Sequence, residues 1–183
     1  MKRLLLVTGR PGIGKTTVLL NAAEELKAKG YIVGGMISRE VRQNGPRVGF
    51  EIIDFKTGGS GWLAHVSQPN GPQVGKYKVN LKDLDSIGVR AIQTALGDAD
   101  VVVIDEIGPM ELFSQAFKQA VMDAMSRGKL ILGVSHQSAR DPIIESIRNR
   151  DDTLIVTVTI DNRNGLHNIL IRNALQYLQH GKQ

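Results

Sequence analysis

Apolar residues in this chain follow two rhythms. Short unbroken runs, Leu4-Leu5-Leu6-Val7, Val101-Val102-Val103-Ile104 and Leu130-Ile131-Leu132-Gly133-Val134, read as strands buried on both faces. Between them the apolar positions recur at helical spacing. Residues 16–29 carry theirs at 18, 19, 20, 22, 23 and 26 and stop at Gly30. The pattern predicts strands over 3–8, 31–38, 100–105, 129–135 and 153–160, the last strongly β-branched. It predicts further helices over 81–96, from 110 or 114 to 126, over 141–149 and over 164–178. Asp141-Pro142 has the form of an N-cap followed by a helix-opening proline.

Residues 48–55, 62–66 and 76–79 are also strand-like, but Gly-rich turns such as Thr57-Gly58-Gly59-Ser60-Gly61 separate them. Their spacing is too short for helical crossovers, so antiparallel hairpins are expected. Strands alternating with helices elsewhere imply a parallel α/β sheet. The expectation is therefore a three-layer α/β fold whose mostly parallel sheet carries an inserted antiparallel hairpin region. The length fits a single domain over 1–183.

Composition narrows the picture. Aromatic residues are only 4% of the chain against 42% hydrophobic, so the core must be built of Val, Ile, Leu and Ala. The absence of cysteine excludes disulfides and thiolate metal sites. His65, His136, His167 and His180 lack ligand spacing, so no structural zinc is expected. The basic and apolar start, Met1 to Val7, is too short for a signal peptide, and no stretch approaches a membrane span. A cytoplasmic monomer with no membrane partner is expected. The net charge of +5 suits polyanionic ligands, and nucleotides suffice to account for it. A nucleic-acid partner stays open but is not indicated, because there is no basic run and no recognised module.

The chemistry begins right after the first strand. Residues 9–16 read G-R-P-G-I-G-K-T, the phosphate-binding loop G-x-x-x-x-G-K-[ST] (Walker A), set between a strand and a helix as that motif requires. Glycines let successive N–H groups turn inward around an anion, and the following helix adds its own free N–H groups and positive end. The nucleotide-binding candidates are Gly9, Arg10, Pro11, Gly12, Ile13, Gly14, Lys15, Thr16 and Thr17. Lys15 is expected to reach the β- and γ-phosphates and the Thr16 hydroxyl to bind Mg²⁺. Pro11 stiffens the loop, and Arg10 occupies a variable position at its rim.

Asp105 and Glu106 end the Val-Val-Val-Ile strand and form the acidic partner of the loop (Walker B). Asp105 is expected to hold the Mg²⁺ water shell beside Thr16, and Glu106 to act as general base on the attacking water. Asp105-Glu106-Ile107-Gly108 also fits the D-x-x-G of switch GTPases, but Pro109 cannot orient water as their Gln does, and Asn-Lys-x-Asp is absent. Phosphoryl transfer also needs positive charge on the transferred group. Arg42, Arg47, Arg148, Arg150 and Arg163 are candidates, each with the alternative of a solvated or ion-paired surface charge. Arg163 is preferred from its place after a strand, so the catalytic set is Lys15, Glu106 and Arg163. Glu111 is read as supporting a helix start, His136 as a phosphate sensor or a loop residue, and Trp62 as hairpin packing.

The string Asp105-Glu106-Ile107-Gly108-Pro109-Met110-Glu111-Leu112-Phe113-Ser114 resembles the nucleoside-triphosphatase family, also known as cancer-related nucleoside-triphosphatase or the thermophilic P-loop NTPase family. Further matching pieces run along most of the chain: Glu40-Val41-Arg42, Arg47-Val48-Gly49-Phe50, Gly75-Lys76-Tyr77-Lys78-Val79, Ile147-Arg148-Asn149-Arg150 and Asn162-Arg163-Asn164. The resemblance implies a small soluble enzyme with a RecA-like or kinase-like P-loop core. It implies slow, Mg²⁺-dependent hydrolysis of several nucleoside triphosphates: ATP, GTP, CTP and UTP. Pro109 departs from the family's usual Lys and removes one cation near the expected γ-phosphate. Two other readings compete: a nucleotide or nucleoside kinase whose region 39–47 holds the acceptor, and an RNA-associated nucleotide switch.

Overall fold

A computed structural model describes residues 1–180; the last three positions of the expected domain lie outside the described residues. Nine strands form one sheet: β1 (Leu4–Thr8), β2 (Val33–Arg42), β3 (Arg47–Asp54), β4 (Ser60–His65), β5 (Gln73–Val74), β6 (Tyr77–Val79), β7 (Val101–Ile107), β8 (Leu130–Ser135) and β9 (Thr153–Thr157). Their order is β5-β6-β4-β3-β2-β7-β8-β1-β9. From β2 to β9 every neighbouring pair is parallel, and from β2 outward to β5 every pair is antiparallel. The helices are α1 (Lys15–Ala28), α2 (Leu81–Asp83), α3 (Arg90–Asp98), α4 (Gln115–Ser126), α5 (Pro142–Arg148) and α6 (Leu166–His180).

Side chains alternate across a strand, so the unbroken apolar runs feed two cores at once. Leu4, Leu6, Val102 and Ile104 pack with Ile92 of α3, Phe117 of α4 and Ile144 of α5. Leu5, Val7, Val101 and Val103 pack with Leu19 of α1 and Leu170 of α6. The result is helix, sheet, helix, the expected three layers. Each fully buried Leu, Ile, Val or Phe contributes about 1.5–3 kcal/mol, so much of the stabilising burial lies at the sheet centre.

Three element bounds differ from the pattern for identifiable reasons. β2 runs on to Arg42, four residues past its apolar stretch. Its first part pairs with β7 and its second with β3, where Arg39 bonds Glu51 and Arg47 bonds Glu40 across the strands. Such pairs give about 0.2–1 kcal/mol each, and hydrophobicity does not reveal them. The predicted helix over 81–96 is α2 and α3 joined by a π-helical turn, Leu84–Val89. β9 stops at Thr157 because Asn162 caps the chain there, donating from Nδ2 to Thr157 O and accepting from Thr159 N. Asp141 caps α5 as the sequence indicates, accepting from Ile143 N at 3.0 Å.

Candidate functional site

The strand ends of the parallel half carry the site. After β1 the chain turns through Gly9, Gly12 and Gly14 at φ 148°, 76° and 110°, angles that side chains disfavour. Ile13, only 6% exposed, plugs this loop into the core beside α1. Gly14 caps α1 with no side-chain hydrogen bond, and the first turn holds no acid. Its N–H groups are therefore left for an anion, with the helix dipole behind them. Lys15 Nζ folds back to donate to Gly9 O at 2.9 Å and Arg10 O at 3.1 Å. Arg10, Pro11, Gly12 and Thr17 are exposed.

β8 lies between β1 and β7, yet the loop meets the acidic strand end directly. Thr16 Oγ1 donates to Asp105 Oδ2 at 2.8 Å. A regular strand would send Asp105 and Glu106 to opposite faces. Here the register of β7 on β8 shifts between Ile104 and Ile107, a bulge that brings both carboxylates to one cavity. Burial pushes Asp105 up to about 7; the bond from Thr16 and the Lys15 charge oppose this, and the Glu106 charge adds to it. Burial also raises Glu106, with His136 and Lys15 pulling it back. A carboxyl raised in this way holds protons better and is a stronger base.

Glu106 leans over Gly108, where a Cβ would stand 2.5 Å from Glu106 Oε1. Gly108→Ala must therefore push the carboxylate aside. Turnover is expected to fall by about 10- to 100-fold, the scale of an ångström's misplacement, with triphosphate affinity retained. Steady-state phosphate release beside equilibrium nucleotide binding checks this.

Glu111 opens a short helical turn and is also part of the site. It sits in a single 3₁₀ turn, Glu111–Phe113, while α4 begins later and is capped by Ser114 Oγ accepting from Phe117 N at 3.0 Å. Glu111 is 3% exposed and lines the cavity. Burial, with the charges of Glu106 and Asp105 beside it, holds its carboxyl well above the usual range. Sequence position alone gave no sign of this. His136 lies in the cavity wall too. Its Nδ1 faces Ser138 N and Ala139 N, at 3.3 and 3.0 Å, which fixes the ring in the wall.

The cavity has a volume of about 620 Å³ and extends from the loop past Glu106 to the antiparallel strands. Arg47 enters it there, donating from Nε to Tyr77 Oη at 2.8 Å and from Nη1 to Glu40 at 2.9 Å. The guanidinium also lies over the Phe50 and Tyr77 rings, 5.0 and 5.6 Å from their centroids. The other arginines stand elsewhere. Arg42 pairs with Glu40, and Arg150 is clamped on Asp152 by bonds of 2.8 and 2.9 Å. Arg148 is exposed and braces the loop at His136 and Gln137 through their carbonyls. Arg163 is exposed on the rim, its Cδ 4.0 Å from where a Cβ on Gly14 would lie. Trp62 packs edge-on against His65 at 4.5 Å, on β4 and outside the cavity wall.

Thr16 and Asp105 offer a hydroxyl and a carboxylate already in contact, hard oxygen donors of the kind Mg²⁺ shares with phosphates and water. Among the described residues no cluster of three or more His, Cys, Asp or Glu side chains is set to hold a metal unaided. The donor set fits an ion that arrives with phosphate ligands. Thr8 Oγ1 and Ser135 Oγ, at the ends of β1 and β8, are buried without hydrogen-bond partners. Ligands of such sheets bind outside these ends. No helix among the described residues is long and apolar enough to cross a membrane.

Comparison with known proteins adds three kinds of likeness. A family model described as NTPase matches residues 4–171. The nucleoside-triphosphatase THEP1 of Thermofilum pendens is 48% identical over 159 residues, covering 86% of this chain and 87% of that protein. Among solved structures, the human cancer-related nucleoside triphosphatase superposes with a TM-score of 0.81 at 38% identity, covering 95% of this chain and 98% of that one. The crystal structure of THEP1 from Aquifex aeolicus gives a TM-score of 0.83 at 27% identity, covering 95% and 99%.

Proposed function

The chain belongs to the NTPase family and is a nucleoside-triphosphatase, and from that premise we propose that it cleaves the β–γ phosphoanhydride of ATP, GTP, CTP and UTP with Mg²⁺, slowly and with little regard for the base. The observation that carries this is the contact of Thr16 with Asp105 at 2.8 Å, with Glu106 next in the chain and facing the same cavity.

In this reading the loop amides bind the phosphates, and Lys15 turns from the Gly9 and Arg10 carbonyls to the β- and γ-oxygens. Thr16 and Asp105 would hold Mg²⁺, which would supply positive charge against the phosphate oxygens. Glu106 takes a proton from water as the water oxygen bonds the γ-phosphorus and the bridging oxygen departs with the nucleoside diphosphate. Arg163, beside Gly14 on the rim, supplies positive charge to the phosphate chain.

Slow turnover follows from the cation count at the terminal phosphate. Pro109 supplies no charge there, and Arg47 is already engaged by Glu40. A well-placed arginine finger is worth about 10³- to 10⁵-fold, and an exposed Arg163 on the rim supplies less than that. Broad base use follows from the shape. The cavity wall includes Lys15 and Thr16 but neither Thr17 nor Arg163, so the nucleoside end of the triphosphate rests on the open rim. The reading keeps the expectation of one domain working as a monomer in the cytoplasm.

Phosphate release from the four triphosphates tests it. The kcat/KM values are expected to agree within about tenfold, since only buried polar groups reject a wrong base by more. Chelation of Mg²⁺ should stop release. A preference for one base by about 10³-fold or more would refute the open-rim reading. Release that persists without any divalent ion would refute the role of Thr16 and Asp105.

A further inference from the structure

Attack by water needs little room, about 30 Å³ for one molecule. The cavity, about 620 Å³, has room for more than the terminal phosphates and a water: it continues from the loop past Glu106 to residues of β2, β3, β4 and β6. Its far wall is made by Phe50, Tyr77, Leu63 and Met110, an aromatic and apolar lining. Arg47 and Ser38 interrupt it with donors, and Glu40 and Glu111 with carboxyls. Arg47 spends Nε and Nη1 on Tyr77 and Glu40 and keeps Nη2 for a ligand. Ser38 also lines the cavity and offers a hydroxyl. An apolar slot with a few fixed donors is the usual form of a small-molecule site.

We propose that this lobe is an acceptor site for a nucleoside, and that the enzyme passes the γ-phosphoryl group to the nucleoside 5′-hydroxyl as well as to water. The inference rests on the assignment of Lys15, Thr16, Asp105 and Glu106 to the terminal phosphate. The base packs on Phe50, Tyr77 and Met110, with its carbonyl or ring nitrogens accepting from Arg47 Nη2 and Ser38. The 5′-hydroxyl then faces Glu106. Glu106 takes the hydroxyl proton, the 5′-oxygen forms a bond to the γ-phosphorus, and the bond from that phosphorus to the bridging oxygen breaks. A nucleoside diphosphate leaves with the electron pair, and a nucleoside monophosphate is formed.

Charge selects a neutral acceptor. Asp105, Glu106 and the bound triphosphate already crowd this end with negative charge. The cation on the far wall, Arg47, is paired with Glu40. A second phosphate would meet repulsion from these charges, and the arginine lining that wall is already paired.

The test uses γ-labelled ATP and Mg²⁺ with each of the four ribonucleosides and four deoxyribonucleosides in turn. At saturation, one or more is expected to take label over water by about tenfold, because an oriented acceptor competes far above its concentration. Arg47→Ala and Tyr77→Phe should each raise the acceptor KM, Arg47→Ala by about 10- to 100-fold, and by more than they raise the ATP KM. Tyr77→Phe keeps the packing, so it reads the site even if Arg47→Ala fails to fold. Label found only in inorganic phosphate with every nucleoside would overturn the acceptor site and leave the hydrolase intact. Transfer to nucleoside 5′-monophosphates in place of nucleosides would overturn it as well. Loss of both transfer and phosphate release would instead remove the hydrolase reading.

Discussion

Glu106→Gln is expected to lower turnover by about 10²- to 10⁴-fold, the usual contribution of a general base, while Mg²⁺–triphosphate still binds. The amide keeps the shape of the side chain and its position over Gly108 but cannot take a proton. It also removes a negative charge beside Lys15, so affinity should hold or improve slightly. Glu111 cannot substitute. Its carboxyl is buried, and burial first, then the charges of Glu106 and Asp105, hold it well above the usual carboxylate range, so it gives up its proton less readily than Glu106. Single-turnover phosphate release measured beside equilibrium binding separates the two effects. Hydrolysis at the parent rate would return the base role to another group.

Lys15→Ala should damage both steps. Lys15 is the cation nearest the loop phosphates; its ammonium rests on two carbonyls and is free to leave them. Charge-assisted hydrogen bonds are worth about 1.5–3 kcal/mol, so triphosphate affinity should fall by about 10- to 100-fold. Charge that grows on the γ-oxygens in the transition state adds a further loss of about 10²- to 10³-fold in kcat. The fold should survive, since Lys15 is half-buried and its bonds close a surface loop. A variant that binds Mg²⁺–ATP with parent affinity would show that the loop amides alone hold the phosphates.

The two expectations draw on different layers of the molecule. Lys15 was legible at once, because a strand, a glycine loop and a helix follow one another in the chain and their geometry is local. The identities of Asp105 and Glu106 were legible too, at the end of four apolar β-formers. Their shared orientation was not, since it depends on the shift of β7 against β8. The place of Glu111 in the cavity was not legible, because an acid in a first helical turn already has a local explanation, and only packing shows the carboxyl sealed in. Arg47 and Tyr77 are thirty positions apart and meet through β3, β4 and β6, so no window along the chain joins them.

The sequence by itself determined the three layers, the parallel strands with buried runs, the phosphate loop and the acids that face it. Those features rest on backbone freedom, side-chain alternation and hydrophobic period, all of which act over a few residues. The tertiary structure decided what surrounds the terminal phosphate: which carboxylates turn inward, which arginine stands over the far wall, and how much room lies beyond. Those depend on strand order and register, which are fixed by contacts between distant segments and leave no periodic trace along the chain.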